Sequence, residues 1–152
     1  MEITFSTVIS DDQFAFVQAL PAAITGADAR EMSSNPLRIY AFNVDMIMGY
    51  IEYKVHGDRV EISWIANWAT SCGFDGLDER MLHHARCLWD MSNVPNVHTN
   101  VRICKQDPTW LCASQMNLLY RNGFSMAYWT CNEIGEISHR MNRRGRAKSV
   151  RM

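Results

Sequence analysis

Arg38-Ile39-Tyr40-Ala41-Phe42-Asn43-Val44, Met46 to His56 and Val60-Glu61-Ile62-Ser63-Trp64-Ile65 are three runs rich in Ile, Tyr, Phe and Val, parted only by a tight turn at residues 43–45 and by Gly57-Asp58. Short runs of β-branched and aromatic side chains bounded by turn residues read as strands. Gly57-Asp58 is a two-residue turn of the type that needs a positive φ at its first position. The last run alternates apolar and polar residues as a half-buried strand does. The spacing predicts three consecutive antiparallel strands, and every other element is placed relative to them.

Ahead of these strands, Ile3 to Val8 reads as a short strand and Ser10-Asp11-Asp12-Gln13 as a capping box opening a helix with Phe14, Val17 and Leu20 on its inner face. Pro21 stands near the end of that helix, and a small-residue stretch through Gly26 and Ala29 leads to a second, weaker helix or loop before Pro36. Behind them, after a loop from Asn67 to Gly76, Leu77, Met81, Ala85, Leu88 and Trp89 recur at helical spacing. That spacing predicts a helix from Asp78 to Met91 with Glu79, His83 and Arg86 on its polar face. Asn96 to Ile103 reads as a strand, and Asp107-Pro108 as the start of a helix running to Asn122 and closed by Gly123-Phe124. Met126 to Cys131 and Gly135 to Met141 form a last hairpin. The order β, α, weak α, β, β, β, α, β, α, β, β defines an α+β chain with a mixed, mostly antiparallel central sheet flanked by helices.

A chain of 152 residues, 47% hydrophobic and 20% charged, can bury one substantial core, so a single domain is expected. No apolar stretch approaches the roughly 18 residues that a membrane-spanning helix needs. Met1-Glu2-Ile3-Thr4-Phe5 lacks the basic start and apolar run of a secretion signal, which points to the cytoplasm. Cys72, Cys87, Cys104, Cys112 and Cys131 are scattered, without C-x-x-C spacing or a matching His set, and read as reduced thiols with no structural metal. The last fourteen positions hold six of the fifteen Lys and Arg residues and no acid, leaving nine basic against sixteen acidic residues before them. The expected division is therefore a folded domain at 1–141 and a basic, disordered tail at 142–152. Such a tail either solubilises the chain or makes a weak, salt-dependent contact with nucleic acid or an acidic surface.

Element by element over residues 3–141, this order resembles the GNAT superfamily of N-acetyltransferases. Two segments carry local resemblance: Gly73-Phe74-Asp75-Gly76-Leu77-Asp78-Glu79-Arg80-Met81-Leu82, and Asn117-Leu118-Leu119-Tyr120-Arg121-Asn122-Gly123-Phe124. The family's first motif, Q/R-x-x-G-x-G/A, cradles the pyrophosphate of acetyl coenzyme A with backbone N–H groups at a helix N-terminus. Gly76 matches its glycine, while Gly73 stands where Gln or Arg is expected and Asp78 where a small residue is. The resemblance implies a cofactor site at Ile65, Ala66, Asn67, Gly73, Phe74, Asp75, Gly76, Leu77 and Asp78. Asp75, Asp78 and Glu79 there would either repel phosphate or serve as ordinary partners of the helix dipole. The second motif ends L-Y-x-x-x-G-F, its tyrosine protonating the departing thiolate. Aligned on Gly123-Phe124, that place falls to Leu119, and Tyr120 could serve only with the helix end rewound or one residue shorter. The general base is sought at Glu61, with Ser63 and Glu52 nearby, although each also reads as an ordinary strand residue.

Three readings follow from this resemblance. The first is an N-acetyltransferase moving an acetyl group from acetyl coenzyme A to an amine of a small molecule or protein, with Glu61 and Tyr120 as the catalytic pair. The second is a non-catalytic module of the same fold that binds a protein partner, as in some bacteriophage host-directed or virion proteins. The third is a nucleic-acid contact through the tail. Exposed edges of a splayed sheet are compatible with a homodimer.

Overall fold

The computed structural model describes residues 2–25, 36–57, 59–68, 76–92, 96–103, 118–131 and 137–144. Seven strands form one sheet: β1 (Thr4–Ser6), β2 (Leu37–Asn43), β3 (Met46–His56), β4 (Arg59–Asn67), β5 (Asn96–Ile103), β6 (Ser125–Cys131) and β7 (Ile137–Arg144). Their spatial order is β1-β2-β3-β4-β5-β7-β6. Every pairing is antiparallel except β4 with β5. Parallel neighbours need a crossover, and the helix α3 (Leu77–Met91) lies between them in the chain. The mixed, mostly antiparallel sheet is thus the expected one, and no described helix is long and apolar enough to cross a membrane.

Local chemistry closes the elements as their residues dictate. Ser10 and Gln13 form the reciprocal capping box of α1 (Asp11–Gln18): Gln13 N–H donates to Ser10 Oγ at 3.2 Å and Ser10 N–H to Gln13 Oε1 at 2.9 Å. Gly57 has φ +61° in the turn that joins His56 to Arg59. Two differences concern boundaries. A short helix α2 (Ala22–Thr25) follows Pro21 directly, ahead of Gly26, while the weak helix or loop expected before Pro36 lies outside the described residues. β7 runs three residues past Met141, pairing Asn142, Arg143 and Arg144 with His98, Val97 and Asn96, so the start of the expected tail is a strand. Most of the helix expected at residues 107–122 lies outside the described residues.

The sheet divides two cores. On one face Val60, Ile62 and Ile65 of β4 pack with Leu77, Met81, Leu82, Ala85 and Trp89 of α3 and with Leu118, Leu119 and Phe124. On the other, Tyr40, Phe42, Ile47, Tyr50, Trp64 and Ala66 pack with Val17 of α1.

Candidate functional site

The parallel ladder between β4 and β5 runs from Arg59 opposite Asn96 to Ile62 opposite Thr99, whereas β4 continues to Asn67 and β5 to Ile103. Beyond Ile62 the two strands part. The parting coincides with a bulge: Tyr53 of β3 pairs with Ile62 and Glu52 with Trp64, leaving Ser63 as an extra residue on β4. A bulge bends its strand and increases its twist, turning the second half of β4 from β5. Residues 63–67 therefore form a strand edge beyond the end of the β4–β5 ladder. Such an edge offers a row of N–H and C=O groups to an extended ligand.

The first turn of α3 stands at the wide end of this opening. Its N-cap, Gly76, is left-handed at φ +83° and contributes no side-chain cap. The first backbone N–H groups of a helix have no intrahelical partner, and the positive end of the helix dipole lies with them. Asn67, the last residue of β4, donates from Nδ2 to Asp78 Oδ1 at 2.9 Å and ties the strand end to the helix start. The helix approaches this closely because β3 has Gly49 beneath it. A Cβ there would meet the Ala66 carbonyl oxygen at 2.6 Å and Leu77 and Met81 at 3.3 Å.

The acids of this turn are largely engaged. Burial pushes the Asp78 carboxyl above its ordinary pKa, with the Asn67 hydrogen bond opposing and Glu79 reinforcing the shift. Glu79 is held below its ordinary value by hydrogen bonds from Asn122 at 3.0 Å and Arg121 at 2.6 Å and by the Arg121 charge, against a small effect of burial. An exposed cation, Arg80, belongs to the same turn. The electrostatic picture is milder than the bare sequence Asp78-Glu79 implies.

At the narrow end, Glu61 stands one residue before the parting, opposite Lys54 on β3 and His98 on β5, with Oε1 at 4.0 Å from His56 Nε2. Beside it on β3, Glu52 accepts from Arg38 Nε at 2.9 Å; these side chains are 3% and 5% exposed. Arg38 also lies 4.4 Å above the Tyr50 ring. Burial opposes its charge, but Tyr50, Tyr40 and Glu52 outweigh that and raise its pKa. A cavity of about 170 Å³ is lined here by Glu52, Lys54, Ser63, Pro36, Leu37, Tyr53 and Val55. The Ser63 hydroxyl is buried without a hydrogen-bond partner among the described residues.

The expected site residues thus fall into groups. Asn67, Gly76 and Asp78 come together at the wide end and Glu61 sits at the narrow end. Ile65, Ala66 and Leu77 are buried at 5%, 1% and 0% exposure, so their side chains pack the cores and Ile65 and Ala66 offer the opening only main chain. Gly73, Phe74 and Asp75 lie outside the described residues. Tyr120 lies on the helix end before Gly123-Phe124. The helix end closes regularly, with Phe124 N–H donating to Leu119 C=O at 3.0 Å, Gly123 N–H to Tyr120 C=O at 3.2 Å, and Gly123 at φ +87°. This is the paired closure of a Schellman motif, neither rewound nor shortened. Leu119 is fully buried and Tyr120 is 46% exposed.

Sequence reasoning missed Gly49, Arg38 and Arg80. An isolated glycine within a strand was the available signal for the first, since it often marks close backbone approach. A lone arginine opening an apolar run was the signal for the second.

No family model matches the chain, and no curated protein matches it in sequence. Solved structures do match in shape. The ribosomal-protein-S18-alanine N-acetyltransferase of Escherichia coli is similar with a TM-score of 0.68 at 18% identity, over 99% of each chain. A GNAT-family acetyltransferase structure from Desulfovibrio desulfuricans gives 0.71 at 11% identity, over 94% of this chain and 99% of that one. The PaiA N-acetyltransferase of Thermoplasma acidophilum, solved with coenzyme A, gives 0.63 at 13% identity, over 95% and 99%. At these identities the likeness is one of architecture, and the fold of this chain is that of the GNAT acetyltransferases.

Proposed function

We propose that the protein is an N-acetyltransferase that uses acetyl coenzyme A and an amine acceptor. The observation that carries this reading is the parting of β4 from β5 at the Ser63 bulge, with the α3 N-terminus at its wide mouth. Coenzyme A is an extended arm with phosphates at one end, and acetyl coenzyme A brings an activated acetyl thioester at the other. The six residues from Ile62 to Asn67, five steps of strand, span about 17 Å, enough to lie beside such an arm. The main chain of Ile65 to Asn67 would bind the arm, and the amides from Gly76 to Asp78, with Arg80, would face the phosphates. The fit rests on the parting of β4 from β5, the left-handed Gly76 at the helix start, and the withdrawal of Asp78 and Glu79 into bonds with Asn67, Arg121 and Asn122.

The acceptor enters on the face that carries Glu52, Ser63 and the cavity, next to the narrow end. A protonated amine must lose a proton before it can attack, and Glu61 would accept it, directly or through a water. Amide backbone donors at the bulge would receive the charge that develops on a carbonyl oxygen there. With Leu119 inside and Tyr120 outside, no phenol is held inward by this helix end. A thiolate leaving group can depart to solvent without one, because a thiol is far more acidic than an alcohol or amine and its anion is a competent leaving group.

Isothermal titration with coenzyme A and with acetyl coenzyme A tests the reading. Saturable binding of both at one site per chain is expected, with Asp78→Gly binding no more weakly than the parent. Absence of binding by the parent and by Asp78→Gly would overturn it.

A further inference from the structure

The β2–β3 hairpin turns on Val44 and Asp45, between the paired Asn43 and Met46. Of these turn residues only Val44 has a positive φ, +57°. A two-residue turn with positive φ at its first central position prefers glycine there, and a β-branched side chain in that region is strained. Burial does not compensate, because Val44 is 81% exposed. Met46, on the other side of the turn, is 60% exposed. Folding gains little from either side chain, and strained residues held in place by a rigid surround cluster at functional sites.

The turn belongs to a wider surface. Gln13 of α1 donates from Nε2 to the Asp45 carbonyl at 3.3 Å, fixing the helix beside the hairpin tip. One turn further along α1, Phe16 is half exposed, its ring centroid 6.4 Å from that of Trp68. Trp68 in turn donates from Nε1 to the carbonyl of Ile47, next to Met46, at 3.0 Å. These contacts link Val44, Met46, Phe16 and the half-buried Trp68 into one apolar surface. Asp11, Asp12 and Asp45 beside them are all exposed. Residues 2–25 and 39–53 contain no Lys, Arg or His, and the exposed Arg80 belongs to α3, which packs on the opposite face of the sheet.

We propose that this surface, the hairpin tip with the exposed side of α1, docks a cationic amphipathic segment of a partner protein. Exposed apolar groups rimmed by polar ones mark protein-binding surfaces. The rim here carries one sign of charge, so a partner that sets Lys or Arg around an apolar stripe gains from both features, whereas an acidic segment is repelled. Val44, Met46 and Phe16 belong neither to the parting of β4 from β5 nor to the α3 N-terminus, so this docking stands apart from the transferase reading.

Fluorescence anisotropy with a labelled helical peptide of leucine and lysine, leucine along one face, tests this against its leucine–glutamate counterpart. The lysine peptide should bind at low salt, more weakly as salt rises, and the glutamate peptide should not bind. Asparagine tolerates the left-handed region better than valine, so Val44→Asn should raise Tm while weakening peptide binding by about fivefold or more. Met46→Ser should weaken binding likewise with little change in Tm. Asp12→Asn combined with Asp45→Asn should weaken it and flatten its salt dependence. No binding of the lysine peptide, equal binding of the glutamate peptide, or unaltered affinity in folded Val44→Asn and Met46→Ser proteins would overturn the proposal. So would a concentration-dependent dimer in sedimentation that Val44→Asn dissolves, because the occupant would then be a second copy of the chain.

Discussion

Arg38 and Glu52 face each other on neighbouring strands, Nε to Oε1 at 2.9 Å, in a part of the sheet from which water is nearly excluded. Two charges in that position are costly to desolvate, and they are tolerated because each is the other's partner and Tyr40 and Tyr50 surround the guanidinium. Removing one member strands the other. Arg38→Met is therefore expected to lower unfolding free energy by about 3–5 kcal/mol, read from urea denaturation. Arg38→Met combined with Glu52→Leu should recover most of that loss, since the replacement pair carries no buried charge. Equal losses in the single and double variants would show that shape rather than charge governs the site.

Asp78 and Glu79 are neighbours on one helical turn whose proton equilibria move in opposite directions. Burial raises the Asp78 pKa, so the folded state holds that proton more tightly than the unfolded chain. Its ionised form then weighs against folding above the folded pKa, and this penalty disappears as pH falls below the ordinary aspartate value. Glu79 behaves conversely: the hydrogen bonds from Asn122 and Arg121 favour its charged form. Its contribution is present above the ordinary glutamate value and is lost as pH falls through its lowered folded pKa. Carbon-detected NMR titration should place the Asp78 midpoint above the ordinary aspartate value and the Glu79 midpoint below the ordinary glutamate value. Asp78→Asn, which can still accept from Asn67, should raise Tm at pH 7 and change it little at pH 3.

Gly49 permits the contact on which the wide end of the opening depends. A methyl group at 2.6 Å from the Ala66 carbonyl oxygen cannot be accommodated without moving backbone. Gly49→Ala is expected to cost on the order of 1–3 kcal/mol. The strain falls between β3, the end of β4 and the first turn of α3, so affinity for coenzyme A should fall as well. Thermal melting and titration calorimetry on the same preparation would separate the two effects.

How far the chain could be read beforehand depended on whether the governing interactions were local. Ser10 with Gln13, and Gly57 in its turn, are determined within four residues of sequence, and both stand as expected. The bulge at Ser63 is different. Strict alternation would place Val60, Ile62 and Trp64 on one face, yet Val60, Ile62 and Ile65 pack against α3 while Trp64 and Ala66 face the opposite core. The extra residue is a property of pairing with β3, so no local pattern reveals it, although it decides where β4 leaves β5. Val44 is a second case. A β-branched residue at φ +57° contradicts local preference and is imposed by the hairpin between β2 and β3. The pairing of Arg143 and Arg144 with β5 likewise overrode a composition that read as tail.

Tyr120 and Glu61 make separable predictions about proton transfer. Leu119 is enclosed in the core shared with α3, and two backbone hydrogen bonds through Gly123 and Phe124 fix the helix end in that phase. Turning Tyr120 inward would expel Leu119, forfeiting roughly 1.5–3 kcal/mol of burial for one side chain. Glu61, by contrast, lies on a paired stretch of β4 next to the parting and needs no rearrangement. In an assay of acetyl coenzyme A consumption with an amine acceptor, Tyr120→Phe should alter kcat by less than about threefold. Glu61→Gln should lower kcat by roughly 10²–10⁴ and flatten its rise with pH, as expected on losing a general base. A large loss in Tyr120→Phe would mean that the helix end reopens when both substrates are bound. Full activity in Glu61→Gln would transfer the base to another group on the same face, with Glu52 and its Arg38 partner the next to be replaced.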